Sequence, residues 1–284
     1  MKEFEMIEPR TREEACQWLD RFKGKARPYA GGTDLLVELK AGRVKLDALV
    51  NLKSIRDLGK IRFSAKNGLA VGALATWTEL LESEAVSSHY PLLRKACESM
   101  GSLQIRNVAT LAGNICHASP AANGPIPLLL HEAVCLIQGI NGARIIPVGK
   151  LFAGVQKNTL KHDEIVTEIR LPPPPAGAKG SFHKFAHRKA MELPVVAVGA
   201  LCWTLNGAWS EVRLALGAVA KKPFRAQKTE KFLMKNKSDE KTLRLAAEVA
   251  AGECAPITDL RASKEYRLEL VKELVFRTLK ESLP

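Results

Sequence analysis

Residues Ala26-Arg27-Pro28-Tyr29-Ala30-Gly31-Gly32-Thr33-Asp34-Leu35-Leu36-Val37-Glu38-Leu39-Lys40 decide the fold class. Ala26 to Ala30 reads as a short strand and Gly31-Gly32 as a turn. Thr33 or Asp34 is the expected N-cap of a helix from Leu35 to Lys40, ended by Gly42. Upstream, Thr11-Arg12-Glu13-Glu14 has capping-box spacing, and Ala15, Trp18, Leu19 and Phe22 follow at helical intervals, so an amphipathic helix runs to about Lys23 and stops at Gly24. Downstream, Ala48-Leu49-Val50 returns as a strand. The opening is therefore α/β, with a glycine turn joining the end of a strand to the start of a helix, a place where backbone N–H groups can approach an anion.

Beyond this opening, Ile61/Phe63 and Leu69/Val71 alternate as paired strands, and Thr76 to Ala85 and Tyr90 to Met100 read as helices. Val134 to Ile137 and Arg144 to Val148 flank Asn141-Gly142, a dipeptide favoured in type I′ hairpins. A strand from Ile165 to Leu171 runs into Pro172-Pro173-Pro174-Pro175-Ala176-Gly177, which can extend neither a ladder nor a helix and is the expected linker. Ser181 to Phe185, Val195 to Leu205 and Trp209 to Leu216 read as a meander, with Asn206-Gly207 closing its second hairpin. Helices over Lys228–Met234, Glu240–Ala251 and Ser263–Leu283 finish the chain. The expected organisation is a domain over 1–175, with lobes of about 1–58 and 59–175, and a second domain over 178–284.

The chain has 284 residues, 46% hydrophobic and 26% charged, an ordinary globular composition with length for about two domains. No apolar stretch reaches the roughly 18 residues of a membrane span, and the start lacks a signal-peptide core, so a cytoplasmic location is expected. Six cysteines without a C-x-x-C pair argue against a zinc ribbon or a cysteine-bound iron–sulfur cluster in this chain. The net charge of +13 invites a nucleic-acid reading, but acids interleave with the bases. Even the densest stretch, Lys221 to Arg244, offers few aromatics for base stacking, so no nucleic-acid partner is expected.

No G-x-G-x-x-G, Walker loop, H-E-x-x-H or G-x-S-x-G occurs. Two small-residue segments remain: Ala30-Gly31-Gly32-Thr33-Asp34, and Thr110-Leu111-Ala112-Gly113-Asn114 followed by Ala118-Ser119-Pro120-Ala121-Ala122-Asn123. Hydroxyls and carboxamides among small residues suit a phosphate and polyol chain, which needs donors and close approach. Locally, each segment is equally readable as a plain turn.

Taken together, Ala30-Gly31-Gly32-Thr33-Asp34-Leu35, Q-I-R-N-V-A-T-L-A-G-N-I-C-H-A-S-P-A-A-N at 104–123, L-A-L-G-A-V-A-K-K-P-F-R-A-Q-K-T-E at 214–230 and L-R-A-S-K-E-Y-R at 260–267 resemble the flavin-binding middle subunit of the molybdenum hydroxylases, the xanthine dehydrogenase and carbon monoxide dehydrogenase flavoprotein type. The resemblance covers essentially the whole chain. It implies an α+β chain: a vanillyl-alcohol-oxidase-type (PCMH-like) FAD-binding domain of two α/β lobes, followed by a C-terminal α+β domain. It also implies noncovalent FAD held by Arg27, Pro28, Tyr29, Ala30, Gly31, Gly32, Thr33, Asp34, Thr110, Leu111, Ala112, Gly113, Asn114 and Asn123, with Ile165 and Lys184 near the flavin or adenine end. Iron–sulfur clusters and the molybdenum cofactor would reside on partner chains, an iron–sulfur subunit and a molybdenum-binding subunit. NAD or another acceptor would take the electrons.

The chain departs from the family pattern in four places. Ala112 replaces a glycine, which requires φ below zero there. Asn123 replaces an aspartate, keeping an oxygen but losing charge. Glu192 stands in for an aspartate after the K-x-x-x-R stretch at 184–188, and His131-Glu132 occupies a normally less charged helix end. His117 follows the second segment closely enough to approach the flavin, or is a solvent-facing loop residue. His183 and His187 would share one face of a strand too far apart to bind one metal ion. The alternative class is a self-sufficient flavin oxidase or reductase of the same fold. Against it, the sequence offers no nucleophile and base pair and no additional domain to cap a substrate.

Overall fold

The computed structural model describes residues 3–205 and 208–283. Asn206-Gly207, read above as a hairpin turn, lies outside them. The chain opens with β1 (Glu5–Ile7), α1 (Arg12–Arg21), β2 (Ala26–Tyr29), α2 (Leu35–Lys40) and β3 (Ala48–Asn51). The three strands form a parallel sheet in the order β1-β3-β2. Thr11 caps α1, its hydroxyl accepting from the Glu14 N–H at 3.1 Å. The reciprocal bond of a capping box is displaced by one residue: Glu14 accepts from Arg10 N at 2.7 Å. The segment after β2 leaves the carboxyl edge of this sheet, the edge at which open α/β sheets bind ligands.

The second lobe contains β4 (Ile61–Ser64), β5 (Gly68–Gly72), α3 (Trp77–Glu82), α4 (Glu84–His89), α5 (Pro91–Glu98), α6 (Leu103–Arg106), α7 (Leu111–His117), α8 (Pro125–Leu130), β6 (Val134–Gly139), β7 (Gly142–Pro147), α9 (Val148–Leu151), β8 (Phe152–Gly154), β9 (Lys157–Asn158) and β10 (Ile165–Leu171). Its sheet is antiparallel, ordered β4-β5-β10-β6-β7. Thr76 to Ala85 is not one helix, because Ser83 leaves the helical region and caps α4 instead. The 140–142 turn also differs from the expected type I′. Gly139 pairs with Gly142 around Ile140-Asn141, and Gly142 alone takes positive φ, at +111°. A type I′ turn would need that conformation at Asn141 as well. Strand β10 is the centre of this sheet, yet Ile165 at its start packs into the core of the first lobe. That placement brings the 156–165 segment to the junction of the lobes.

The last part comprises β11 (Lys179–Phe185), β12 (Val196–Leu205), β13 (Ala208–Gly217), β14 (Phe224–Arg225), α10 (Gln227–Leu233), α11 (Glu240–Glu253) and α12 (Lys264–Glu281), with the strands in sequential antiparallel order. Its helices bury one face of the sheet against Val271, Leu274, Val275 and Leu279. The other face packs on helices of the second lobe: Leu92, Ala96, Ile126 and Leu130 interlock with Phe182, Ala197, Leu201 and Ala215. The approach is close enough that a Cβ on Gly199 would lie 2.6 Å from Ile126.

His131-Glu132, unexplained by sequence, tie these layers together. Glu132 pairs with Arg213 at 3.1 Å and Arg225 at 2.8 Å across the interface. His131 is buried edge-on to Tyr90, and its Nε2 has no partner among the described residues. Desolvation, then the nearby Arg213 charge, push the His131 pKa down from 6.5 to about 4. The folded state thus resists a proton that the unfolded chain accepts. Stability from this group is complete above about pH 6.5 and is lost as pH falls toward about 4, a difference of roughly 3 kcal/mol. Urea denaturation of the wild type and His131→Gln across that window should show a shallower loss in the variant; parallel curves would refute the assignment.

Candidate functional site

A cavity of about 630 Å³ opens where the lobes meet. It falls within the usual range for ligand sites. Arg27, Pro28, Ala30, Gly31, Gly32, Thr33 and Asp34 form one wall, Thr110, Ala112, Gly113 and Asn114 the facing one, and Ile165 contributes from β10.

Direct backbone packing holds the two walls together. A Cβ on Gly31 would lie 2.2 Å from Val108 O and 2.8 Å from Ala109 Cα, so only glycine lets the segments touch. Gly32 turns the chain with φ at +71°, a conformation that favours glycine. Asp34 is the N-cap of α2, yet its side chain makes no capping bond. Consequently, among the described residues, the N–H groups of Gly32, Thr33, Asp34 and Leu35 meet no protein acceptor. Unused donors at a helix start, beside residues too small to block approach, are the donor set a phosphate group requires.

The second wall is the start of α7 rather than a turn. Thr110 caps it, accepting from Gly113 N at 2.9 Å, and Ala112 inside the helix has the negative φ that its replacement of glycine demands. Asn114 Oδ1 accepts from Gly124 N at 3.1 Å, so this side chain also anchors the loop that follows. Folding and binding could not be separated by its removal.

Four of the expected contact residues stand apart from the lining. Tyr29 turns away under Lys53, whose ammonium lies 4.9 Å from the ring centroid, and Leu111 is buried in the core of the second lobe. Asn123 is buried and donates to Ser99 Oγ at 2.9 Å, its amide taken up by the neighbouring helix end. Lys184 donates to Ser99 O at 2.9 Å. Both therefore brace the chain next to Met100, which does line the cavity. Conversely, sequence reading missed the far rim: Gln156, Asn158, Lys161, His162 and Glu164. They carry no local motif. They arrive because Asn158 donates to Cys116 O at 2.6 Å and Gln156 N to Ala118 O at 3.0 Å, fastening this segment onto the end of α7.

Several charges at and beside the cavity are paired. Arg144 grips Glu164 with two bonds of 2.7 Å and holds its carboxyl below the ordinary range. His162 pairs with Asp20 at 2.9 Å. His117 is neither free nor on a loop: on α7, its Nε2 lies 3.3 Å from Glu38 and its Nδ1 3.9 Å from Asp34. His183 and His187 have separate partners, His183 on Glu281 and His187 on the Arg261 carbonyl, and His187 lies beyond the end of β11.

Residues 2–174 match the family described as the FAD binding domain in molybdopterin dehydrogenase, and residues 181–282 match the CO dehydrogenase flavoprotein C-terminal domain. The chain belongs to this flavoprotein family. The FAD-binding domain thus coincides with the part of the chain that builds both walls of the cavity. The flavoprotein is similar to the xanthine dehydrogenase FAD-binding subunit of Escherichia coli O157:H7, with 34% identity over 91% of this chain and 89% of that one. Its structure superposes on a chain of carbon monoxide dehydrogenase from Hydrogenophaga pseudoflava with a TM-score of 0.95 and 27% identity, covering 99% and 97% of the two chains. A chain of quinoline 2-oxidoreductase from Pseudomonas putida 86 gives a TM-score of 0.92 at 29% identity, covering 99% and 98%. Among the described residues, no helix is long and apolar enough to cross a membrane.

Proposed function

We propose that this chain is the FAD-carrying electron-transfer subunit of a multisubunit molybdenum hydroxylase, working in the cytoplasm with an iron–sulfur subunit and a molybdenum-binding subunit. The observation that carries this reading is the cradle of N–H groups at Gly32 to Leu35, without a protein acceptor among the described residues, beside Gly31, which packs on Val108 and Ala109 just ahead of α7. The residues present fit FAD: small side chains and free donors for the pyrophosphate, and a continuous wall from Gly31 to Ile165 for the rest. When bound, FAD supplies the ability to accept electrons singly and release them as a pair. Gly31 and Gly32 would admit the phosphates, Thr33 and Thr110 would border the polyol chain, and Ile165 and Ala112 would help exclude water at the flavin or adenine end. NAD or another external acceptor is the proposed outlet. The chain divides into 1–175, which binds the cofactor, and 178–284, which braces it through Lys184.

Two measurements test this. FAD added at a hundredfold excess over its Kd should stabilise the apoprotein by about 2.7 kcal/mol, seen as a raised melting temperature. Native purification should recover an iron–sulfur chain and a molybdenum-binding chain with it. An unshifted melting temperature, or a protein that purifies alone in native yield, would contradict the proposal.

A further inference from the structure

The cavity that must accept a pyrophosphate also carries two carboxylates on the cradle's own helix. Asp34, the N-cap of α2, and Glu38 within it are four residues apart, on one face, and both line the cavity. Unmasked, they would repel the ligand that the N–H groups beside them attract. Among the described residues neither has a lysine or arginine partner; the side chain between them is His117. Its Nε2 lies 3.3 Å from Glu38 Oε1, within hydrogen-bond distance, and its Nδ1 lies 3.9 Å from Asp34 Oδ2, within ion-pair distance. The Gln156 amide nitrogen lies 3.3 Å from the same Nε2. The ring is largely enclosed, with 22% of the side chain exposed. Asp34 faces this ring instead of capping its helix, and the cradle N–H groups stay free.

We propose that His117 is a positioning residue that draws Asp34 and Glu38 away from the pyrophosphate and screens their charge, fastening α2 to α7 across the FAD cavity. The inference rests on this cavity being the FAD site. It assigns His117 no contact with the reacting ring and no part in proton transfer.

The test is FAD titration of the purified apoprotein, read by flavin fluorescence, at about 50 and 500 mM salt, where the screening length falls from roughly 14 to 4 Å. His117→Ala should raise the Kd at least tenfold at low salt, and added salt should recover part of the loss because it screens the exposed carboxylates. Glu38→Gln in the His117→Ala background should restore the Kd to within about threefold of the wild type. His117→Gln, which keeps a donor, should bind close to normally and serves if the alanine variant fails to fold. A purely structural role would not be rescued by removing the charge at Glu38. Wild-type affinity in His117→Ala, or a double variant as weak as the single one, overturns the proposal. Thr33→Glu, which places a charge directly in the cradle, is the control. FAD bound normally by that variant would overturn the site itself, whereas loss there with an unaffected His117→Ala would overturn only the role of His117.

Discussion

The Gly31→Ala chain is expected to emerge without flavin and to melt well below the wild type. The added methyl would lie 2.2 Å from Val108 O and 2.8 Å from Ala109 Cα. These are backbone atoms, and they cannot turn aside. Ala109 N donates to Ile105 O at 2.8 Å, and Ala109 O accepts from Trp77 N at 3.1 Å, so the obstructing segment is pinned from both directions. The walls must separate, at a cost of about 3 kcal/mol for overpacking without repacking room. Gly32→Ala should be milder. Its obstruction is the edge of the Tyr29 ring at 2.5 Å, a side chain able to move, and its positive φ adds about 1–2 kcal/mol of strain. Gly42→Ala isolates the backbone effect, since Gly42 shares the conformation, with φ at +70°, but has nothing within 4 Å of the added atom. It should lose a little stability and keep its FAD. Thermal melts and flavin absorbance of the three variants would check the ranking; a yellow Gly31→Ala protein with a normal melt would refute it.

The same contact explains what sequence could and could not reveal. The strand, glycine turn and helix of residues 26–40 were legible because each step has a local cause: alternation, a positive φ, a helix start. The structure places them at β2, Gly32 and α2. Likewise the prolines after Leu171 marked the passage to the last four strands, and Ala112 kept the negative φ its helix demands. What stayed hidden depends on distant pairing. Nothing near Gly31 says that Val108 will rest on it, and nothing near Gln156 says that its backbone will fasten to Ala118. Asn123 and Lys184 show the converse. A family pattern identifies polar residues worth keeping near a cofactor, but both of these are bonded to the Ser99 region beside the cavity. Their place in a pattern did not disclose which atoms they touch. His131 was legible only as an oddity, because its burial against Tyr90 joins residues distant in the chain.

Loaded with FAD but separated from its partners, the chain should fail to oxidise a purine, an aldehyde or carbon monoxide, while its flavin remains reducible by a chemical reductant and reoxidisable in air. The cavity explains the expected failure. Hydroxylating such substrates requires a group free to move a proton or attack at the reacting centre. Of the candidates here, Glu164 is held by Arg144, His162 by Asp20, and His117 by the carboxylates of α2. Burial pushes the Cys116 thiol up to about 12, which removes the thiolate that could serve as a nucleophile. These side chains hold the walls together instead of facing a substrate. Electrons must then enter from a redox centre on another chain, for which the family's iron–sulfur subunit is the proposed source. Adding purified iron–sulfur and molybdenum-binding chains should make flavin bleaching depend on the organic substrate, followed in a stopped-flow spectrometer. Sustained turnover by the isolated chain would instead establish a self-sufficient flavoenzyme. It would also require one of those paired residues to leave its partner during the reaction, and replacing Arg144 or Asp20 would then alter the rate.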